Sequence, residues 1–542
     1  MTENIKEIKS IELIQQIGKI LLILISLFLL LTLFAVSLTW PMNADNGNYF
    51  SLGDVILNGG MIYSDAWTMK GIFIPYFYAL VTLLFGNVDW GIRLVDLVIL
   101  SYGAVAGWYI INKLTDKYTA WIITLCFQVN YLNDYYLSAQ PEIWIAVIIT
   151  IMMAILFQDN GKFLKRNAII AGLLLTFIGS IKLPYLILCI LPISYAFIYC
   201  NKKIKDALFF ISVTGITSIL STSSILLWLY YNGALESMIE IQFGYAFETH
   251  LKVAFINDTM RSIGASIHSF FFYGNKIVYT ILYIPSMIIL WKTKKKEGSL
   301  LLVWFAIALF MPLAQQKNYG TYLLLMIAPL VISASYLIGN FRGIKYFICC
   351  SLLIILSFHH SINNNIKPVL YTLEKRGLTD QIFPYFYQPK EYSNMLSISE
   401  YINKYDNSNE KLLLLGGSGI LATYHLTGMK PLTRFIPTFP ILFSEGERKK
   451  KYEEEILQGF YKSPPKYIVY NHSEHPNFII FGRNYFLTEK IREMIHNNYY
   501  VQDAIGSYII MKFIDLNICT ADPDYLYLLY YYEAIKEKEK YR

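Results

Sequence analysis

Long apolar runs separated by short polar breaks fill the first 360 residues of the chain. A helix that crosses the hydrocarbon of a bilayer needs roughly 20 such residues. About eleven stretches meet that need: 17–40, 91–112, 118–134, 141–158, 167–181, 183–200, 207–231, 270–291, 299–315, 320–339 and 343–360. The fifth and sixth share one apolar stretch. The break between them falls at Lys182-Leu183-Pro184, because proline disfavours helix in the residue before it. Beyond about residue 361 the rhythm changes. KLLLLGGSGILATYHLTG (411–428) reads as strand, glycine turn and helix, PPKYIVYN (464–471) as strand, 487–498 as helix and SYIIMKF (507–513) as strand. Strands alternating with helices predict a small α/β domain over about 390–515. The final DYLYLLYYYEAIKEKEKYR, aromatic and then charged, reads as a surface helix on the membrane or on that domain. The expected architecture is a polytopic α-helical membrane domain, residues 1–360, followed by an extracytoplasmic α/β domain and tail, residues 361–542.

Charge gives these runs a direction. Lys6 and Lys9 precede the first span, and Lys113 and Lys117 follow the second. Lys162, Lys165 and Arg166 follow the fourth, and Lys202, Lys203 and Lys205 the sixth. Lys292, Lys294, Lys295 and Lys296 follow the eighth, and Arg342 and Lys345 the tenth. Every second loop is basic. By the positive-inside rule the N-terminus is cytoplasmic, and an odd number of spans puts the C-terminal domain outside. The alternation also requires the split at Lys182. The outer segments are then 41–90, 135–141 and 232–269.

Composition agrees. The chain is 55% hydrophobic and 16% charged, where soluble chains carry about 25% charged residues. The net charge of +7 does not point to nucleic acid, because the basic residues sit in short clusters between apolar runs. The six cysteines have neither metal-ligand spacing nor a disulfide framework. The first apolar run is long and lacks a small-residue cleavage site, so it reads as a retained anchor.

The outer segment PMNADNGNYFSLGDVILNGGMIYSDAWTMKG (41–71) then stands out, with Asp45, Asp54, Asp65 and Lys70 set against a bilayer. Taken singly, each Asp is ordinary as a helix cap or turn residue, and Glu142 after Pro141 suits a helix start. Lysines at span ends commonly snorkel. The grouping argues otherwise: Asp45, Asp54, Asp65, Lys70 and Glu142 all fall on one outer face, where ionisable groups mark function. Lys182 and Lys317 lie at outer span ends, and Arg93 is a further cation. Leu415-Gly416-Gly417-Ser418-Gly419 is neither a P-loop nor a dinucleotide fingerprint and reads as a tight turn. The His359-His360 and His472/His475 pairs read as bystanders, and the glycan pattern at 471–473 is too short to weigh.

Four segments resemble one family. Asp45 with Tyr49, Gly60 with Tyr63, Asp65 and Lys70-Gly71 form the first match. GSIKLPYLILCILP (179–192), QQKNYGTYLLLMIAPL (315–330) and the C-terminal LLLLGGSGILATYHLTGMKPLTRF with PPKYIVYN and YIIMKF form the others. In this order they resemble the GT-C superfamily of glycosyltransferases, in particular the bacterial members of glycosyltransferase family 39 (protein mannosyltransferase-like) and the lipid A aminoarabinose transferases. The family often carries a second acid after the first; here that position is Asn46.

The resemblance implies an inverting hexosyl- or pentosyltransferase that takes its sugar from a polyprenyl-phosphate donor in a bacterial inner membrane, with the active site facing the periplasm. The acceptor would be a lipid-linked glycan, a cell-envelope polymer or a protein. Asp45 aligns with the family's first-loop acid and is the expected base. Lys70, then Lys317 and Lys182, are expected to hold the donor phosphate, since a departing phosphate needs cations more than a strong acid. Glu142 and Asp65 are acceptor-binding or supporting acids. Asp45, Asp65 and Glu142 could also supply oxygen ligands to a divalent cation, and the metal question stays open. The rival reading is a polytopic transporter or flippase; few acids lie inside the spans and no repeated half is visible. An O-antigen polymerase would carry its long outer loop mid-chain.

Overall fold

The computed structural model describes residues 2–132, 137–200, 203–246, 248, 264, 267–268, 271, 276–315, 320–367, 390–406, 410–415, 420–437, 440–441, 444–471, 489–506 and 508–514. Lys317, the glycine turn 416–419, His472, His475 and the aromatic tail lie outside the described residues.

A helix lies in each of the eleven apolar stretches. Helix α1 spans Thr2–Ser37, α2 Ala44–Leu57, α3 Phe73–Phe85, α4 Asp89–Leu114, α5 Lys117–Gln128, α6 Pro141–Asp159, α7 Lys165–Ile181, α8 Ile190–Tyr199 and α9 Ile204–Tyr231. Helices Lys276–Thr293, Lys295–Gln315, Ile327–Asn340 and Gly343–Ser361 follow. Among the described residues six helical segments are long and apolar enough on their own to cross a membrane, and the chain is a multi-pass membrane protein. Apolar all round, α6 and the 321–340 segment are buried through most of their length and form the centre of the bundle. The rim helix α9 turns most of its apolar surface outward. The chain breaks at Lys182, whose backbone is extended, and continues as a 3-10 turn, Leu183–Cys189, into α8.

The first outer segment is folded. Its two helices pack on each other so closely that a Cβ at Gly53 of α2 would come within 2.8 Å of the Ala79 nitrogen of α3. Helix α3 has 13 mostly apolar residues, too short to span, and packs beside α4 and α7.

The C-terminal domain holds a five-stranded sheet in the order β2-β1-β3-β5-β4, with β1 Lys411–Leu415, β2 Lys430–Pro431, β3 Tyr467–Asn471, β4 Tyr499–Ile505 and β5 Tyr508–Phe513. β1 runs parallel to β2 and β3; β3/β5 and β4/β5 are antiparallel. Leu412–Leu415 are buried, as a central parallel strand demands. The domain sits on the first outer segment. Ser51 of α2 donates to the Leu421 carbonyl (2.8 Å), a Cβ at Gly47 would lie 2.5 Å from that of Ala422, and Tyr392 donates to Asp89 at the start of α4 (2.7 Å). Loop 41–90 and the C-terminal domain therefore share one face of the bundle.

Candidate active site

Asn43 and Asn46 start α2 with a reciprocal cap: the Asn46 amide donates to Asn43 Oδ1 (2.9 Å) and the Asn43 amide to Asn46 Oδ1 (3.3 Å). This puts Asp45 in the first turn, exposed, where a carboxylate suits the positive end of the helix. Asn46 points inward. Its Nδ2 donates to the Tyr78 hydroxyl (2.9 Å), which donates on to the Ala139 carbonyl (3.1 Å).

Lys70 is delivered by its neighbour. The Gly71 amide donates to the Ile181 carbonyl at 2.8 Å, and a Cβ on Gly71 would lie 2.1 Å from the Ser180 carbonyl oxygen. Only glycine lets loop 58–72 lie directly on the end of α7. Lys70 and Lys182, the next residue after α7, consequently each stand one residue from this contact. The half-buried Lys70 ammonium stands 5.4 Å over the Tyr49 ring, and among the described residues it makes no ion pair. Tyr49 is buried one helical turn beyond Asp45, on the same face.

The third group comes from α6. Pro141 at its first position and Glu142 in its first turn match the expected helix start. Glu142 is 2% exposed and accepts from Lys182 Nζ at 2.7 Å. The same ammonium donates to the Tyr322 hydroxyl (2.8 Å) and stands 4.0 Å from the Tyr322 ring centre.

These charges feel one another. Burial works against the Lys70 ammonium, but the carboxylates of Glu142 and Asp45 outweigh it and raise its pKa above the ordinary lysine value. Lys182 goes the other way: burial pulls it down to about 8 against the opposing pull of Glu142, with the like charge of Lys70 adding to the fall. Burial, then the charges of Asp45 and Glu142, hold the Tyr49 phenol protonated. Asp45, Lys70, Glu142 and Lys182 thus form one electrostatic group at the outer end of the bundle.

Other candidates are engaged elsewhere. Asp65 accepts from the Met61 amide (2.7 Å) and shapes its own turn. Asp54 lies 2.7 Å from Nδ1 of the buried His425, in the contact between α2 and the C-terminal domain. Arg93 is buried and donates to the carbonyls of Trp40, Pro41 and Ser138, tying the first two outer segments together. Asp96 accepts from Ser138, the Ala139 amide and Trp144. Among the described residues no three His, Cys, Asp or Glu side chains gather as a metal site requires. Sequence reasoning placed Tyr49 and Tyr322 in matched segments without giving either a role in the site, and it missed Tyr78. The four-residue spacing from Asp45 was the available signal for Tyr49, and the segment 315–330 was the one for Tyr322; nothing local marks Tyr78.

Fold and site together define a polytopic membrane protein with an ionic cluster under an outer α/β domain. No family model matches the sequence, and no curated protein does either. Solved structures do. ArnT from Cupriavidus metallidurans bound to undecaprenyl phosphate superposes with a TM-score of 0.54 at 10% identity, over 92% of this chain and 99% of that one. The apo state of the same protein gives 0.54 at 10% identity, over 90% and 97%. The archaeal oligosaccharyltransferase AglB from Archaeoglobus fulgidus, in complex with an inhibitory peptide and a dolichol-phosphate, gives 0.47 at 12% identity, over 91% and 75%. The likeness to ArnT runs through nearly the full length of both chains, and the fold is the one that ArnT has.

Proposed function

We propose that this chain is a membrane glycosyltransferase that moves a sugar, with inversion, from a polyprenyl-phosphate donor to an acceptor at the outer face of a bacterial inner membrane. One observation carries the reading. The ammonium groups of Lys70 and Lys182 and the carboxylates of Asp45 and Glu142 meet where loop 58–72 lies on the end of α7, in a fold shared with a protein solved with undecaprenyl phosphate.

The chemistry follows from the roles this arrangement permits. An acceptor hydroxyl attacks the anomeric carbon while Asp45 takes its proton. The bond from that carbon to the phosphate oxygen breaks, and the polyprenyl phosphate leaves as an anion. Positive charge building on the sugar ring resembles that in glycoside hydrolysis. Lys70, with no ion pair of its own among the described residues, meets the phosphate. Lys182 is engaged by Glu142 and Tyr322 and adds its charge from behind. Lys317 is a further phosphate ligand in this reading, and Glu142 keeps the two lysines together. Low water content at the bilayer edge strengthens each contact. The acceptor is a glycan, lipid or protein.

The test compares lipid-linked sugars from cells carrying the wild type and Asp45→Asn. The proposal expects the donor lipid to accumulate in the variant and to disappear when Asp45 is restored. Unchanged lipids and glycans remove Asp45 from the mechanism. Substrate crossing vesicle membranes with no new glycosidic bond would establish a transporter instead.

A further inference from the structure

The backbone carbonyl of Lys70 accepts two hydrogen bonds, from the Tyr63 hydroxyl (3.1 Å) and from Gln242 Nε2 (3.2 Å). The two donors come from different outer segments. Both segments are tied to one residue of the C-terminal domain, Arg434.

The ties to Tyr63 are direct. Arg434 Nη1 donates to the Tyr63 carbonyl (3.3 Å), and the Trp67 amide donates to the Arg434 carbonyl (2.8 Å). Arg434 therefore grips both ends of a five-residue stretch, 63–67. Tyr63 needs that grip. Its φ is +73°, a left-handed conformation that is strained for an aromatic residue and persists only where its surroundings enforce it. Its ring is 2% exposed, so the conformation sets where its hydroxyl reaches. The tie to Gln242 runs through its own short π-helical segment, Glu240–Tyr245, whose Glu240 carboxylate lies 3.7 Å from Arg434 Nη2. Arg434 itself is fixed by Glu455, with Nε 3.0 and 3.1 Å from the two carboxylate oxygens, and by the Phe435 and Tyr452 rings.

We propose that Arg434 is a positioning residue for Lys70: the docked C-terminal domain sets, through Tyr63 and Gln242, the place at which the Lys70 ammonium meets the donor phosphate. This rests on the reading of Lys70 given above. It makes the C-terminal domain a working part of the transferase site. A domain that swings away releases both donors to the Lys70 carbonyl at once, while Gly71 stays bonded to α7.

A built-in control exists. Arg448 joins the same domain to the segment of Glu240, pairing with Glu248 and lying 3.8 Å from Glu240, and among the described residues it makes no ion pair with loop 58–72. A purely structural docking role belongs to both arginines; a role through Tyr63 belongs to Arg434.

The experiment measures binding of undecaprenyl phosphate to the purified full chain in lipid nanodiscs. The variants are Arg434→Gln, Arg448→Gln, Tyr63→Phe, Lys70→Ala and Arg434→Gln with Lys70→Ala. The inference expects about tenfold weaker binding in Arg434→Gln, a similar loss in Tyr63→Phe, and a clearly smaller loss in Arg448→Gln, which touches only the Gln242 side. In the Lys70→Ala background, adding Arg434→Gln should change nothing further, because coupled residues are not additive. Equal losses in Arg434→Gln and Arg448→Gln, or full additivity with Lys70→Ala, overturn it. Tyr63→Phe keeps the ring and answers the question even if Arg434→Gln folds poorly. If Lys70→Ala itself binds as well as wild type, the phosphate role of Lys70 fails, a result separable from failure of the Arg434 link.

Discussion

The Gly71 amide is hydrogen-bonded to the carbonyl of Ile181 at 2.8 Å, so that two stretches of backbone touch where Lys70 and Lys182 each follow or precede the contact by one residue. The site's paired charge depends on this approach, and any Cβ at position 71 collides with backbone rather than with a movable side chain.

Gly71→Ala should therefore cost stability and function together. Forcing a methyl group into a packed contact costs about 1–3 kcal/mol. The loop must lift from α7 to admit it, parting Lys70 from Lys182. Thermal unfolding in detergent and a transfer assay on the same preparation test this. Full activity with an unchanged melting temperature would show that the approach is not needed.

Much of this was readable in advance, for definite reasons. Burial of every backbone polar group in lipid forces long apolar helices, and these announce themselves by composition. Lys182 stood out because Leu183-Pro184 breaks the apolar run beside it. Asp45 stood out because a carboxylate against a bilayer demands an explanation. The missing parts depend on contacts between distant segments. Helix α3 was hidden in loop 41–90 because thirteen mostly apolar residues are too few to span. Strand β4 carries Gln502 and Asp503 beside a register shift, which blurs its alternation. The meeting of Arg434 with Tyr63 has no local signature at all.

Lys182 and Glu142 allow stability to be separated from function. Both are buried, and removing one partner strands the other charge, which costs about 3–5 kcal/mol. Lys182→Met should lose about that much in chemical unfolding. Lys182→Met with Glu142→Leu should regain most of it, since an apolar pair of similar size can replace a buried ion pair at little cost. Transfer should stay low in both, because the second positive charge is gone. A double variant as unstable as the single one would mean the pair is not the source of the loss.

The two lysines should also titrate apart, and the order can be worked out from their surroundings. Burial lowers Lys182 to about 8 in spite of Glu142. A group whose folded pKa is lowered gives up its proton early, so its charge is lost as pH rises through that value. Lys70 is raised above the ordinary lysine value near 10.4, because Glu142 and Asp45 outweigh its burial. Its charge is complete below the ordinary value and is lost only as pH rises past the raised one. Affinity for undecaprenyl phosphate should thus fall in two steps, one near pH 8 and one beyond about pH 10. Lys182→Met should abolish the first step and keep the second. Asp45→Asn should move the second step to lower pH more than the first, since Asp45 ranks above most other charges acting on Lys70 and last among those acting on Lys182. A single step near pH 8 that survives Lys182→Met would mean that Lys70 titrates there, and the carboxylates of Asp45 and Glu142 would then not hold its charge.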